Sequence, residues 1–153
     1  AKTAAILCDW IEEKPEEAIV EKYGIGPGDL FNLIRTAGWL LYSFYELAKI
    51  LGEINVLKDL MVLRERVLHG VKSELIELTR LKNIGRKRAR ILYNAGLKTL
   101  EDIKRAGYRK LVSLPLIGPS LAKEILEQLG VKIEAQITIR NKTRTGTLED
   151  YFQ

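Results

Sequence analysis

The feature that most constrains the fold is a repeat in the second half of the chain. Five residues recur at a constant offset of 33 positions: Leu78, Leu81, Ile84, Gly85 and Ala89 return as Leu111, Leu114, Ile117, Gly118 and Ala122. A fixed offset indicates two copies of one supersecondary unit, each of which buries its apolar side against its neighbour. In both copies an isoleucine and a glycine separate two helical patterns, so each unit is predicted to be helix, tight turn, helix.

Each predicted turn carries residues suited to holding a phosphate. Gly85 and Gly118 allow the backbone to bend sharply and to approach a ligand closely, while Ile84 and Ile117 are expected to insert into the core and fix the turn. The helix that follows directs its free amides outward, where they and the helix dipole favour an anion. The repeat therefore predicts a pair of nucleic-acid-binding hairpins.

Basic residues concentrate on the first of these hairpins. Residues 80–110 hold eleven lysines and arginines against two acidic residues, although the net charge of the whole chain is +5. Such a cluster is typical of a surface that binds polyanions; the alternatives are a solvated basic face and a helical bundle that binds nothing. Positive charge at the start of a helix opposes the helix dipole, so an anion is expected beside the cluster. The candidate DNA contacts here are Lys82, Gly85, Arg86, Lys87, Arg88 and Arg90.

The two units resemble the helix-hairpin-helix family, whose usual turn is glycine, hydrophobic residue, glycine. Here Asn83 and Leu116 replace the first glycine. Asparagine tolerates left-handed backbone geometry, so the first hairpin is expected to bind phosphate. Leucine does not, so the second hairpin, with Gly118 and Lys123 as candidate contacts, is expected to brace the first and to bind DNA more weakly.

The remainder of the chain is predicted to be helical as well, which makes the fold all-α. Four helices are expected in the first half, over residues 1–12, 16–23, 29–51 and 54–68. Asp29 is the expected cap of the third, and Thr99 the expected cap of the helix that links the hairpins. We divide the chain into a partial helical bundle at 1–70, a double hairpin domain at 71–130 and a tail at 131–153, in which alternating apolar residues from Ile133 suggest a short extended stretch.

The third predicted helix carries a candidate site for a nucleobase. Asn32, Arg35, Trp39 and Tyr42 share one stripe at helical spacing, and Gly38 is expected to leave room for a flat group beside the indole. A base would stack on Trp39 while Arg35 holds a phosphate. The alternative, that Trp39 belongs to the core, is the one that periodicity alone favours.

Several chemistries are excluded by the residues present. Cys8 and His69 are the only residues of their types, so they supply neither a usual zinc site nor an internal disulfide. The chain contains neither the glycine-rich phosphate loop nor the Asp-Glu metal motif of a helicase motor, so no cofactor is expected within it. No apolar run approaches the roughly 20 residues that span a bilayer. We expect no secretion signal and a cytoplasmic, nucleoid-associated protein.

Three stretches carry a resemblance to a known family. LCDWI at 7–11, GPGDL at 26–30 and TAGWL at 36–40 resemble the archaeal Hjm helicases, and the similarity extends over essentially the whole chain as that family's C-terminal portion. The resemblance implies a Ski-like superfamily 2 helicase that moves 3′ to 5′ on single-stranded, forked or branched DNA in repair and replication restart. ATP and Mg²⁺ would bind in motor domains of the same parent chain, and this chain would bind DNA without hydrolysing ATP.

The same resemblance implies roles for particular residues. The helix holding Trp39 corresponds to a ratchet helix that stacks on single-stranded DNA as the strand leaves the motor. The family often has an arginine seven residues before that tryptophan; here the position is Asn32, and Arg35 is the candidate replacement. The family pattern Arg-x-Arg-Ala-Arg is associated with restraining the motor and with coupling DNA contact to ATP turnover. It matches Arg86, Arg88, Ala89 and Arg90.

Other interpretations remain open. A base-excision glycosylase would need a catalytic aspartate downstream of a hairpin, where only Glu134 stands. A non-catalytic adaptor would use the basic face to bind an acidic protein. In the tail, Leu148, Tyr151 and Phe152 resemble the motif that binds the sliding clamp PCNA, with Thr145 at the place of its usual glutamine. A frayed end is the alternative for this segment.

Overall fold

The computed structural model describes residues 1–133, and every regular element in that range is helical. This confirms the predicted all-α class. The eight α-helices are α1 Lys2–Ile11, α2 Glu16–Tyr23, α3 Pro27–Leu51, α4 Leu57–His69, α5 Ile76–Thr79, α6 Arg86–Asn94, α7 Leu100–Val112 and α8 Pro119–Gln128. Single 3₁₀ turns at Ile54–Val56 and Ser73–Leu75 lead into α4 and α5. The predicted clamp motif at Leu148, Tyr151 and Phe152, and the stretch that follows Ile133, lie outside the described residues.

The start of α3 differs from the prediction. The helix begins at Pro27 and is preceded by Gly26, so Asp29 is its third residue and does not cap it. A proline fits the first position of a helix because its missing amide hydrogen would have no partner there. The carboxylate of Asp29 instead accepts a hydrogen bond from the Gly26 amide at 2.9 Å. An acid in the first turn is also favoured by the helix dipole.

Two hydrophobic cores organise the described chain. The smaller is formed by Ile6, Trp10, Ile19 and Leu30. The larger lies within the hairpin repeat and includes both members of three repeated pairs: Leu78 and Leu111, Ile84 and Ile117, and Ala89 and Ala122. The isoleucines are therefore inserted into the core, as predicted, and the alanines are fully buried.

The helix that links the hairpins, α7, bends before its last turn, and this last turn belongs to the second copy of the repeat. Thr99 caps it as predicted: its hydroxyl accepts from the Asp102 amide, and the Asp102 carboxylate accepts from the Thr99 amide, both at 3.1 Å. Gly107 then adopts φ +75°, which interrupts the helical geometry of α7. Glycine reaches this conformation without a steric penalty. The last turn of α7 is therefore the counterpart of α5, 33 residues later in the chain.

Trp10 ties α1 to the end of α4. Its indole Nε1 donates to the carbonyl of Val67 at 2.8 Å, and its ring lies against Gly70, where a Cβ atom would come within 2.4 Å of it. Gly70 also has φ +63° and ends α4.

Among residues 1–133, no helix is both long and apolar enough to cross a membrane.

Candidate nucleic-acid interface

The tips of both hairpins adopt left-handed backbone geometry. Asn83 has φ +64° and Leu116 has φ +60°. The result for Asn83 agrees with the prediction, whereas the expectation that Leu116 would avoid this geometry is wrong. The reason is a tertiary contact: Arg88 Nε donates to the Leu116 carbonyl at 2.8 Å, and its Nη1 donates to the Asn83 carbonyl at 3.2 Å. One arginine thus bridges the left-handed residues of both turns.

We expect Leu116→Gly to stabilise the fold by about 0.5 to 1 kcal/mol. A left-handed conformation costs a non-glycine residue about 1–2 kcal/mol, and the added freedom of glycine in the unfolded chain takes back roughly 0.4–1 kcal/mol. Little packing is lost, because Leu116 is 59% exposed. Asn83→Gly is the matched control and should not stabilise, because it removes the hydrogen bonds of the asparagine amide. Urea unfolding of both variants tests this; a loss of stability in Leu116→Gly would contradict it.

The first hairpin turn is also fixed from α8. Asn83 Nδ2 lies 2.9 and 3.0 Å from the two carboxylate oxygens of Glu124, and the Lys82 amide donates to Gln128 Oε1 at 2.8 Å. Neither Glu124 nor Gln128 was identified from the sequence, since nothing in the pattern of α8 signals a polar contact with a turn more than 40 residues away. These bonds support the predicted bracing of the first hairpin by the second.

Besides Arg88, three cations follow the first turn, and their surroundings differ. Arg86 is half-buried: its Nη2 donates to the Trp10 carbonyl at 3.0 Å, and its guanidinium lies 4.0 Å from the centroid of the Trp10 ring. Burial lowers the pKa of Arg86, against the attraction of nearby glutamates on the α1–α2 side. Arg90 forms two ion pairs: its Nη2 lies 2.6 Å from Glu13 Oε2, and its Nη1 lies 2.8 Å from Glu74 Oε1. Lys87 is exposed, and among residues 1–133 it has no ion-pair partner.

The contacts of Arg86 with Trp10 and of Arg90 with Glu13 form a joint between α6 and the end of α1. The sequence did not indicate Glu13 as part of it. Its carboxylate accepts from Arg90 Nε at 2.8 Å and Nη2 at 2.6 Å, and from the Lys72 amide at 3.0 Å. Burial alone would raise the pKa of Glu13, but the Arg90 and Lys72 hydrogen bonds outweigh it and the net pKa is lowered. The anion that the basic cluster needed is therefore supplied partly by the chain itself. A DNA contact by Arg86 or Arg90 stays a prediction.

A cleft of about 710 Å³ opens beside the first hairpin. One wall is the start of α6, with Gly85, Lys87 and Arg88; the facing wall includes Glu16 and Glu17 at the start of α2. The first wall offers helix-terminal amides and positive charge to a phosphate. The glutamates opposite weaken that attraction without removing it, because exposed charges are strongly screened.

The second hairpin presents a less basic surface, as expected. Gly118 precedes α8 in extended geometry. Lys123 is exposed, and its Nζ lies 3.9 Å from a carboxylate oxygen of Glu127 on the next turn. This separation is too long for a strong hydrogen bond, so the lysine remains accessible to a phosphate.

The stripe on α3 is exposed as the base-stacking interpretation requires. Trp39 is 66% exposed, which removes the alternative that it is a core residue of this chain. Asn32 and Arg35 are exposed on the same stripe, and the Arg35 guanidinium lies 5.8 Å from the Phe31 ring centroid. The stripe therefore combines an accessible indole with a cation one turn away.

Gly38 has a packing role that the sequence did not indicate. Gly38 is buried, and a Cβ atom there would come within 2.6 Å of Leu68 Cδ2 on α4. The glycine makes room for α4 to pack against α3, and it also lines a slot beside Trp39 together with Arg64 and Leu68 of α4. Arg64 on α4 lies at the same crossing, where its Nε donates to the Gly38 carbonyl at 3.3 Å. Arg64 was missed because the stripe on one helix contains no information about its neighbour.

Comparison with known proteins gives matches over both halves. The family described as archaeal helicase, domain 4, matches residues 1–70, and the one described as SAM-like helix-hairpin-helix tandem matches residues 75–132. The ATP-dependent DNA helicase Hel308 of Thermococcus kodakarensis is 44% identical over 99% of this chain and 14% of its own length. That of Pyrococcus horikoshii is 46% identical over 99% of this chain and 21% of its own. The chain thus spans about a fifth or less of these curated relatives.

Proposed function

Because this chain belongs to the archaeal Hel308 helicase family, as a homologue of its C-terminal region, we propose that it is the DNA-binding module of an ATP-dependent DNA helicase. The resemblance to archaeal helicases found in the sequence is thereby confirmed. The finer proposal is that the parent moves 3′ to 5′ on single-stranded, forked or branched DNA in repair or replication restart. Its ATP and Mg²⁺ would be bound by motor domains of the parent.

The observation that carries the proposal is the exposure of Trp39. A tryptophan that is 66% exposed, on a helix with Arg35 one turn before it, is suited to stacking on an unpaired base. Every base has a π-face, so such stacking is independent of sequence and is favoured for a protein that moves along a strand. The stripe on α3 is accordingly proposed as the single-strand site.

The hairpin domain supports a second, phosphate-directed contact. Lys82 and Lys87 are exposed on either side of the first turn, where the amides at the start of α6 are available to an anion. Contacts of this kind position a backbone without reading sequence. A single-strand site and a backbone site in one module are suited to the junction of a forked DNA.

The motor domains are proposed to contact the apolar face at the far end of α3. Phe44, Ile50 and Leu51 are exposed there, and Ile54 and Val56 in the following 3₁₀ turn extend the patch. An exposed patch of this kind marks an interface with other protein surface. The proposed partner is the remainder of the longer chain that the relatives possess.

The hairpin contribution can be measured by salt dependence. We expect the double change Lys82→Gln and Lys87→Gln to reduce the slope of log affinity against log salt for forked duplex DNA by about 2, because each neutralised duplex phosphate contributes roughly 0.9. Binding to oligo-dT should be nearly unaffected. Arg105→Gln, an exposed charge on α7 paired with Asp102, is the control. An unchanged slope would remove the hairpin from the DNA site.

Competition by polyglutamate tests the alternative of an adaptor that binds an acidic protein. If polyglutamate competes for the chain as strongly as DNA does, the adaptor function is favoured.

A further inference from the structure

The exposed indole lies in a slot that is built by two helices. The slot has a volume of about 480 Å³ and is lined on α3 by Arg35, Trp39 and Tyr42, and on α4 by Arg64 and Leu68. Its lining contains two arginines and no carboxylate. A slot with an aromatic surface and an excess of positive charge fits a group that is both flat and anionic, which describes a nucleotide.

Arg64 is held in place by contacts that use only part of its guanidinium. Its Nε donates to the Gly38 carbonyl at 3.3 Å, next in sequence to Trp39, and its Cζ lies 5.5 Å from the Tyr42 ring centroid. Its Nη1 lies 3.7 Å from Glu65 Oε1, which is beyond hydrogen-bond distance. The side chain is 29% exposed, so the terminal nitrogens remain accessible from the slot.

We propose that Arg64 is an anion-binding residue of the nucleotide site on Trp39, and that it holds a backbone phosphate of the strand whose base stacks on the indole. The inference rests on the proposed single-strand function and adds the residue that positions the strand. Asn32, on the stripe itself, has no charge to offer. A guanidinium fixed through Nε can present its two Nη groups to two phosphate oxygens, a geometry that a lysine does not reproduce.

Oligo-dT binding of the full 153-residue chain tests the assignment. We expect Arg64→Gln to weaken binding about tenfold, as for the loss of one hydrogen-bonded ion pair, and to reduce the salt slope by about 0.7, the value for one single-strand phosphate. Arg64→Lys should keep the slope but still weaken binding, because it retains the charge and loses the fork. Lys58→Gln, on the first turn of the same helix, is the matched control and should change neither quantity.

The outcomes distinguish Arg64 from the wider proposal. Unchanged affinity and slope in Arg64→Gln, with a loss in Trp39→Ala, would overturn the role of Arg64 and leave the stacking function standing. A loss in Arg64→Gln that is matched by an equal loss of affinity in Lys58→Gln would also overturn it. If Arg64→Gln melts at a much lower temperature, the result for Arg64→Lys is used instead. Unchanged affinity for oligo-dT in Arg64→Lys would contradict the bidentate contact between the guanidinium and the phosphate. Absence of oligo-dT binding by the unmodified chain would overturn both proposals.

Discussion

Replacing Trp39 with alanine is expected to weaken the binding of oligo-dT by about 1–3 kcal/mol, or about 5- to 150-fold. The expectation follows from the 66% exposure of the indole, which leaves a face free to stack on a base. The same change should alter the free energy of unfolding by less than about 0.5 kcal/mol, as is usual for surface positions. Fluorescence anisotropy with labelled oligo-dT, and a urea melt of the same variant, measure the two quantities.

Trp10 is the matched control for this experiment. It is 8% exposed and holds α1 against α4 through its bond to the Val67 carbonyl. Trp10→Ala is therefore expected to lower stability by about 3–5 kcal/mol. If Trp39→Ala instead destabilises the chain to a similar extent and leaves binding unchanged, the single-strand site is not on α3.

Replacing Arg90 with methionine is expected to lower the free energy of unfolding by about 2–4 kcal/mol, because it leaves a largely buried carboxylate without its charged partner. The Glu13 side chain is only 13% exposed and would retain a single described hydrogen bond, from the Lys72 amide. The corresponding fall in melting temperature is about 5–15 °C for a chain of this length. Arg109→Met, at an exposed position on α7, is the control and should have little effect.

Arg90 can act by stabilising the joint between α6 and the end of α1, or by binding DNA. The variant Glu13→Gln distinguishes these two roles. If Arg90 serves the joint, this variant should lose stability and keep its affinity for DNA. If Arg90 serves DNA, releasing it from Glu13 should raise the affinity. The joint interpretation predicts that Glu13→Gln and Arg90→Met are strongly coupled, by up to about 3 kcal/mol in a double-mutant cycle. Additive losses would contradict it.

Sequence reasoning was most successful where the fold follows from local pattern. The 33-residue repeat predicted both hairpins and the insertion of Ile84 and Ile117 into the core. The cap at Thr99 was also predicted, because capping depends on neighbours within one turn. Periodicity and capping are properties of short segments, so one chain contains the information needed to identify them.

The contacts that sequence reasoning missed are long-range. Arg90 and Glu13 lie 77 positions apart, and Arg64 meets Gly38 across 26 positions, so no local pattern pairs them. The left-handed geometry of Leu116 was judged from intrinsic preference, which a tertiary hydrogen bond from Arg88 overrides. The packing role of Gly38 was missed because its helical stripe could not show that Leu68 lies against it. Sequence therefore located the basic cluster but did not show which of its cations serve the fold.

The central claim, that a single strand stacks on Trp39, can be tested directly by fluorine NMR of the chain carrying 5-fluorotryptophan. The chain contains two tryptophans, so two resonances are expected and Trp39→Phe assigns them. Adding oligo-dT should shift the Trp39 resonance in step with binding and leave that of the buried Trp10 almost unchanged. A Trp39 resonance that stays in place while anisotropy reports saturated binding would contradict the claim.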